Sequence, residues 1–365
     1  MQRRSFLTLT GIGLLTPAAL AACSAKKGAA SSSGAPSAGA AASATPHRVT
    51  ETLRVHVPTT LAYMAPMTSF GTHGKLDEWV GSADVQNWEG VDVLKSLIAQ
   101  GQTDLAATPS YAAANLFNKG VGIRLVAVQV WGMLYVLGPE GSSAQGLEAL
   151  RGQTVAVPLP NNMPDLVFRY LLAQKGWDAQ ADLTIQSFPT GQEALNALLT
   201  GQVSYAVLPE HAASVALAKG KQAGLALERT VNLQSAWAEV TGGKARFPMA
   251  GLVMPQSLTD SEPGLVGAIL DELDAAVAAT NAAEEATVKA ISERTEVPAP
   301  IVSEVIPRLQ LEVVPAAEAK EELEDFFTRL ATISPDVVGG SLPADDFYLA
   351  DPRASHGATP SASAA

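Results

Sequence analysis

Gly101-Gln102-Thr103-Asp104-Leu105-Ala106-Ala107-Thr108-Pro109-Ser110-Tyr111-Ala112-Ala113 is answered one hundred residues later by Gly201-Gln202-Val203-Ser204-Tyr205-Ala206-Val207-Leu208-Pro209-Glu210-His211-Ala212-Ala213. Each stretch opens on a glycine suited to a helix C-terminus, crosses a short apolar strand, and meets a proline just before a new helical run. Both units close with Lys-Gly, at Lys119-Gly120 and Lys219-Gly220. Chance likeness of two alanine-rich segments is the alternative; two lobes of one construction explain the shared positions better. In open α/β sheets ligands sit beyond the carboxyl ends of the strands, against helix N-termini. Two such lobes facing one another make a cleft.

Around these units strand-like and helical runs alternate. Leu53–Val57 reads as a strand, Asp92–Gln100 as a helix, Asp104–Thr108 as a strand, Tyr111–Lys119 as a helix and Ile123–Trp131 as a strand. This alternation predicts an α/β fold with mostly parallel sheets flanked by helices. The order strand, Pro58-Thr59-Thr60-Leu61-Ala62-Tyr63, helix, then helix–Gly-Gln–x-Asp-Leu-Ala-x-Thr-Pro resembles the nitrate/sulfonate/taurine/thiamine-pyrimidine group of periplasmic binding proteins. Leu150-Arg151-Gly152-Gln153-Thr154-Val155-Ala156-Val157-Pro158 is similar to that group's entry into its second lobe. The likeness covers about residues 50–335, and its motifs are diffuse.

The resemblance implies the two-lobed periplasmic-binding-protein fold (type II) with two chain crossovers, expected near Gly138 and near Trp237. Lobe one is then 49–138 plus 237–350 and lobe two 139–236, with Phe247–Pro255 re-entering lobe one. Helices over about Pro263–Ala279, Ala282–Arg294 and Ala316–Leu330 complete lobe one.

At 365 residues the chain is long enough for two lobes that each bury a core. A hydrophobic share of 47% against 16% charged residues suits a folded body. The net charge of −12, without a Lys/Arg cluster, argues against nucleic-acid binding. Cys23 is the single cysteine, so an intramolecular disulfide, a thiolate metal cage and a cysteine nucleophile are all excluded.

The N-terminus reads as an address. Arg3-Arg4-Ser5-Phe6-Leu7 precedes a short apolar run broken by Gly11, Gly13 and Pro17, which suits a signal peptide over 1–22 better than a membrane span. Leu20-Ala21-Ala22-Cys23 resembles a bacterial lipobox, which implies a lipid on Cys23, and the arginine pair resembles a twin-arginine export signal. An ordinary secretory route also tolerates two arginines. Residues 23–48, mostly Ala, Ser and Gly, are expected to form a flexible tether of roughly 25–30 Å. Residues 351–365 are expected to remain an unfolded tail.

The fold reading nominates strand-end residues as ligand contacts: Thr60, Tyr63, Trp88, Glu89, Thr108, Ser110, Tyr111 and Trp131 in lobe one, and Asn161, Asn162, Asp165, Thr190 and Glu210 in lobe two. The nominated segments hold no Lys or Arg. Aromatic faces with carboxylates favour a flat, N–H-rich or cationic heterocycle such as a thiamine-pyrimidine-like compound. The alternative is an anion of the sulfonate or nitrate type, held by helix N-terminal amides and hydroxyls. Each nominee also has a structural role open to it: Trp88 and Trp131 as inter-lobe packing, Asn161 and Asn162 as a turn, Asp165 as a helix cap, Glu210 as a helix-dipole partner.

Catalysis has little to stand on. His47, His56, His73, His211 and His356 are scattered without ligand spacing, and no phosphate loop or nucleophile elbow is present in the body. No metal and no cofactor is expected. The implied function is capture of a small solute by a monomeric, exported, lipid-anchored protein at the cell envelope, with separate ABC permease and ATPase subunits as partners. The rival readings are an enzyme on the same architecture, such as a menaquinone-pathway lyase or a thiamine-pyrimidine synthase, and a surface sensor or adhesin.

Overall fold

The computed structural model describes residues 47–356 apart from Gln180. The expected signal peptide, Cys23, nearly all of the expected tether and residues 357–365 lie outside the described residues.

The first repeat runs β1 (Thr50–Pro58), α1 (Leu61–Met67), β2 (Val80–Trp88), α2 (Val91–Ala99), β3 (Leu105–Pro109) and α3 (Ser110–Asn118). After β4 (Ile123–Val130) and β5 (Leu134–Pro139) the second runs β6 (Thr154–Pro158), α4 (Met163–Gln174), β7 (Thr184–Phe188), α5 (Gly191–Leu199), β8 (Tyr205–Pro209) and α6 (Glu210–Gln222). The registers repeat with the sequence. Val55 lies opposite Val85 and Leu105 in one sheet, while Val155 lies opposite Ile185 and Tyr205 in the other.

Next come β9 (Leu227–Asn232), α7 (Leu233–Thr241), β10 (Ala250–Pro255), α8 (Gln256–Ser261), α9 (Pro263–Ala282), α10 (Glu285–Thr295), α11 (Ala299–Val305), β11 (Leu311–Pro315) and α12 (Lys320–Ile333). The six-stranded sheet has the order β11-β4-β10-β3-β1-β2, and the five-stranded sheet read from its far edge is β9-β5-β8-β6-β7. Equivalent places are thus filled by β10 and β5, the strands that run antiparallel to β3 and β8. Each of these two strands arrives from the other lobe.

The helix starts repeat too. The Ser110 amide donates to the Met249 carbonyl at 3.0 Å, and the Glu210 amide to the Met133 carbonyl at 2.7 Å. Pro109 and Pro209 fix the preceding backbone as extended N-caps, so each strand turns into its helix at once.

The crossovers lie side by side: the Phe247 amide donates to the Trp131 carbonyl at 2.8 Å and the Met249 amide to Val130 at 3.0 Å. The sequence places the first crossover near Gly138, but β5 already pairs with β8 from Leu134, so the chain changes lobe at 131–133. The apolar run 134–137 is fully buried and reads equally well in either sheet, which is why periodicity alone misplaces the step. Gly132 is required there, since a Cβ on it would lie 2.3 Å from Gln234 Cγ.

Central strands are buried on both faces, as in Leu125, Val126, Ala127 and Val128. Each such leucine or valine contributes about 1.5–3 kcal/mol on burial. The core of the first lobe continues through Trp237, Phe247 and Phe326 onto one face of the second sheet, and Tyr135, Leu137, Leu195, Leu198 and Leu208 form a separate cluster on the other.

β2 and β11 are among the strands that the sequence reading does not name. β2 is a polar edge strand with only its ends buried, and β11 is five residues long. The expected unfolded tail is corrected over Pro352–His356, which forms a 3-10 turn. Arg353 holds it, donating to Asp351 at 3.0 Å, Asp271 at 3.0 Å and Asp274 at 2.7 Å.

Candidate solute-binding site

Tyr111 joins the lobes at the strand ends. Its hydroxyl donates to Asn162 Oδ1 at 2.9 Å, and the Met163 backbone amide also bonds to it, so the start of α3 meets the start of α4. Tyr63 on α1 lies close to Tyr111, and both phenols are pushed well above their usual range, chiefly by burial. Both remain neutral donors. Thr60 is the N-cap residue of α1, its side chain half-buried and not used for capping.

Thr108, fully buried at the end of β3, has a hydroxyl with no partner in the structure. A buried hydroxyl left unpaired at a strand end marks a place where a ligand or water completes the bonding. Ser110 beside it is spent, its hydroxyl donating to the Pro248 carbonyl at 2.5 Å.

The carboxylates are not free. Asp165 is buried and accepts from the Asn161 amide at 2.9 Å and from Arg169 Nε at 2.6 Å, so it braces the turn before α4 rather than facing a solute. That turn is strained: Leu159 and Asn161 hold φ of 55° and 60°, in the left-handed region that costs a branched residue about 1–2 kcal/mol. Glu210 is fully buried; Arg229 Nε donates to it at 3.0 Å, Ser214 Oγ donates at 3.0 Å, and Arg308 stands 3.5 Å away.

The remaining nominees have structural duties. The Trp88 indole N–H donates to the Ala107 carbonyl at 3.1 Å, between two strands of one sheet. Trp131 donates to the Glu312 carbonyl at 2.9 Å and lies under the Arg246 guanidinium at 3.9 Å, on the hinge and not in the strand-end cluster. Thr190 caps α5 in a reciprocal pair with Glu193, and Glu89 is exposed beyond Trp88. Tyr63, Tyr111, Thr108 and Asn162 are therefore the nominees that the fold gathers with polar capacity at the strand ends.

Sequence reasoning missed Arg229 and Arg308. The first stands in β9 and the second just before β11, and only tertiary packing carries them to the start of α6. The strand-end loops do lack Lys and Arg, yet the region they form does not. His211, next to Glu210, is half-buried with its Nδ1 buried and without a partner, and burial lowers its pKa to about 4.

A cavity of about 390 Å³ opens elsewhere, behind the hinge between α7, the 243–248 segment and α12. Its cations are already paired: Lys244 and Arg246 with Glu322, Arg329 with Asp325 and the Tyr170 hydroxyl. Among the described residues, no group of three or more His, Asp or Glu is placed to hold a metal ion, and no helix is long and apolar enough to cross a membrane.

Residues 90–233 match the family described as ABC transporter, phosphonate, periplasmic substrate-binding protein. Over that stretch the chain is similar to the substrate-binding proteins of ABC importers. An ABC transporter structure from Parabacteroides distasonis shares this chain's fold with a TM-score of 0.68 and 24% identity, over 82% of this chain and 99% of that one. The periplasmic aliphatic sulphonate binding protein SsuA from Escherichia coli aligns with a TM-score of 0.65 and 15% identity, covering 81% and 90%. The periplasmic nitrate-binding protein NrtA from Synechocystis PCC 6803 gives 0.58 and 13%, covering 80% and 85%. No curated protein sequence matches this chain. The family it matches is one of substrate-binding transport proteins, and such proteins work outside the cytoplasm.

Proposed function

We propose that this solute-binding protein captures a small oxyanion, of the phosphonate, sulfonate or nitrate kind, by closing its lobes at the strand ends, and passes it to a membrane permease driven by an ATPase subunit. The observation that carries this reading is the state of the buried carboxylates. Glu210 and Asp165 are both neutralised by arginines, so neither is left to select a cationic heterocycle. The group at the strand ends with capacity to spare is a neutral hydroxyl, that of Thr108, which can donate to an anion's oxygen. The aromatic nominees are sealed into packing or hydrogen-bonded, which removes the other support for a flat heterocycle.

Closure would move lobe one, the strands up to 130 with those after 249, against lobe two. A solute shifts this equilibrium only by binding the closed form better. Export and anchoring through a lipid on Cys23 belong to the same proposal, on the sequence signals of residues 1–23, and so does a monomeric state.

The test is thermal unfolding of the full chain carrying Cys23→Ser against alkylphosphonates, taurine, alkanesulfonates, nitrate, thiamine pyrimidines and purines. A site filled to 100 times its dissociation constant adds about 2.7 kcal/mol, a shift of a few degrees. Oxyanions alone should raise the melting temperature. A shift with heterocycles alone would sink the anion reading.

A further inference from the structure

On one flank of the hinge, α11 of lobe one packs on α6 of lobe two. Four charges meet there. Each lobe pairs its own two. In lobe two Arg229 is bonded to Glu210, and in lobe one Arg308 Nη1 stands 3.4 Å from Glu304 Oε1 and donates to the Glu304 carbonyl at 2.6 Å. Two further links cross between the lobes: Arg229 Nη2 to Glu304 Oε1 at 3.3 Å, and Arg308 Nη1 to Glu210 Oε1 at 3.5 Å.

The result is a ring of alternating charge whose separated halves are each neutral. Opening the lobes breaks the two crossing links and leaves no charge unpaired. Closing them restores both links without breaking a pair. Neither direction leaves a charge buried without a partner, and across the seam the Coulomb attraction works against the desolvation that closing costs. Full burial of Glu210 keeps water away from that end of the ring, and Arg229 is aimed by its bond to Ser214 Oγ at 2.6 Å and by the Tyr135 ring 5.7 Å away.

We propose that Glu304 and Arg308 are positioning residues that latch the lobes closed before any solute arrives, so that the solute-free protein spends much of its time in the closed form. This rests on the capture reading above only in taking the lobes to move relative to one another. The apparent affinity of any solute then scales with the closed fraction, and ionic strength sets that fraction. The latch lets the protein hold its cleft formed at low salt and loosen it at high salt, whatever solute it carries.

The experiment measures lobe separation without solute. The full chain carrying Cys23→Ser has no native cysteine, so Lys95→Cys in lobe one and Gln192→Cys in lobe two take a fluorescent donor and acceptor. Both positions are exposed. Energy transfer is read from 0.02 to 0.5 M NaCl in wild type, Arg308→Gln, Glu304→Gln, the double variant and Arg308→Lys. Transfer in the wild type should be high at low salt and fall as salt rises. Arg308→Gln and Glu304→Gln should each lower the closed-to-open ratio roughly 2- to 5-fold at low salt and flatten the salt response. Arg308→Lys should recover part of both effects.

Glu304 is about half exposed, so Glu304→Gln tests the latch even if Arg308→Gln fails to fold. Transfer that is equally high in both variants at every salt overturns the proposal, as does a wild type already open at low salt. No solute enters this measurement, so its failure is separate from a failure of the oxyanion screen.

Discussion

Acidification offers a sharp test of the strand-end chemistry through His211. This residue stands at the second position of α6, where the helix dipole already disfavours a positive charge, and its Nδ1 is buried without a partner. Burial lowers its pKa to about 4, against an ordinary value near 6.5. The sign follows directly. The folded protein resists the proton, the unfolded chain accepts it below about pH 6.5, and stability present above that pH is lost as pH falls towards 4.

By linkage a shift of that size removes roughly 2–3 kcal/mol between pH 7 and pH 4.5, a fall of about 4–8 °C in melting temperature. Carboxylates titrate in the same range, so the useful quantity is a difference. Calorimetric melting temperatures of wild type and His211→Asn are compared at both pH values. The variant, with nothing to protonate at this site, should lose roughly 4–8 °C less than the wild type on acidification. Parallel pH profiles for the two proteins would refute the reasoning, because His211 would then bind its proton equally well folded and unfolded.

Three further outcomes follow from particular contacts. Glu272 is a fully buried carboxylate accepting the amides of Gly71 at 2.7 Å, His73 at 2.9 Å and Lys75 at 3.1 Å, so Glu272→Gln sets an amide donor against one of them. That substitution should cost roughly 2–4 kcal/mol and speed hydrogen exchange over residues 71–75, and an unchanged melting temperature with unchanged exchange would contradict it. Tyr111→Phe removes the bond to Asn162 that spans the lobes, so it should weaken capture of whichever solute the unfolding screen identifies by roughly 2- to 10-fold in calorimetric titration. Unaltered affinity would reduce Tyr111 to a packing residue. Gly132→Ala forces a Cβ against Gln234, whose amide bonds the Leu134 backbone at 2.9 and 3.2 Å, and should lower stability by about 1–3 kcal/mol in denaturant titration; a stability equal to wild type would mean the hinge yields freely there.

How far the site could be read from the chain varied from residue to residue. That Thr108, Tyr111 and Asn162 stand at strand ends was legible because the strand–proline–helix pattern sets those loops whatever the details of packing. Glu210 was reachable as a position and misread as chemistry. Its carboxylate looks free in sequence, and the arginines that neutralise it lie 19 residues on in β9 and beyond α11. Trp131 lies apart from the strand-end cluster for a related reason: an aromatic at a strand end can turn towards the cleft or the hinge, and Arg246 and the Glu312 carbonyl hold it at the hinge.

The sequence by itself determined the repeat. Glycine, proline and apolar strand residues at matching positions are local constraints on the backbone, and they act the same way in both copies, so register and helix starts recur one hundred residues apart. It also determined the absence of a cysteine beyond residue 23. Only the tertiary structure decided the charge of the cleft and the way the lobes are joined. Those depend on which distant side chains desolvate together, and burial strengthens their mutual Coulomb and hydrogen-bond energies in a way that local spacing does not encode.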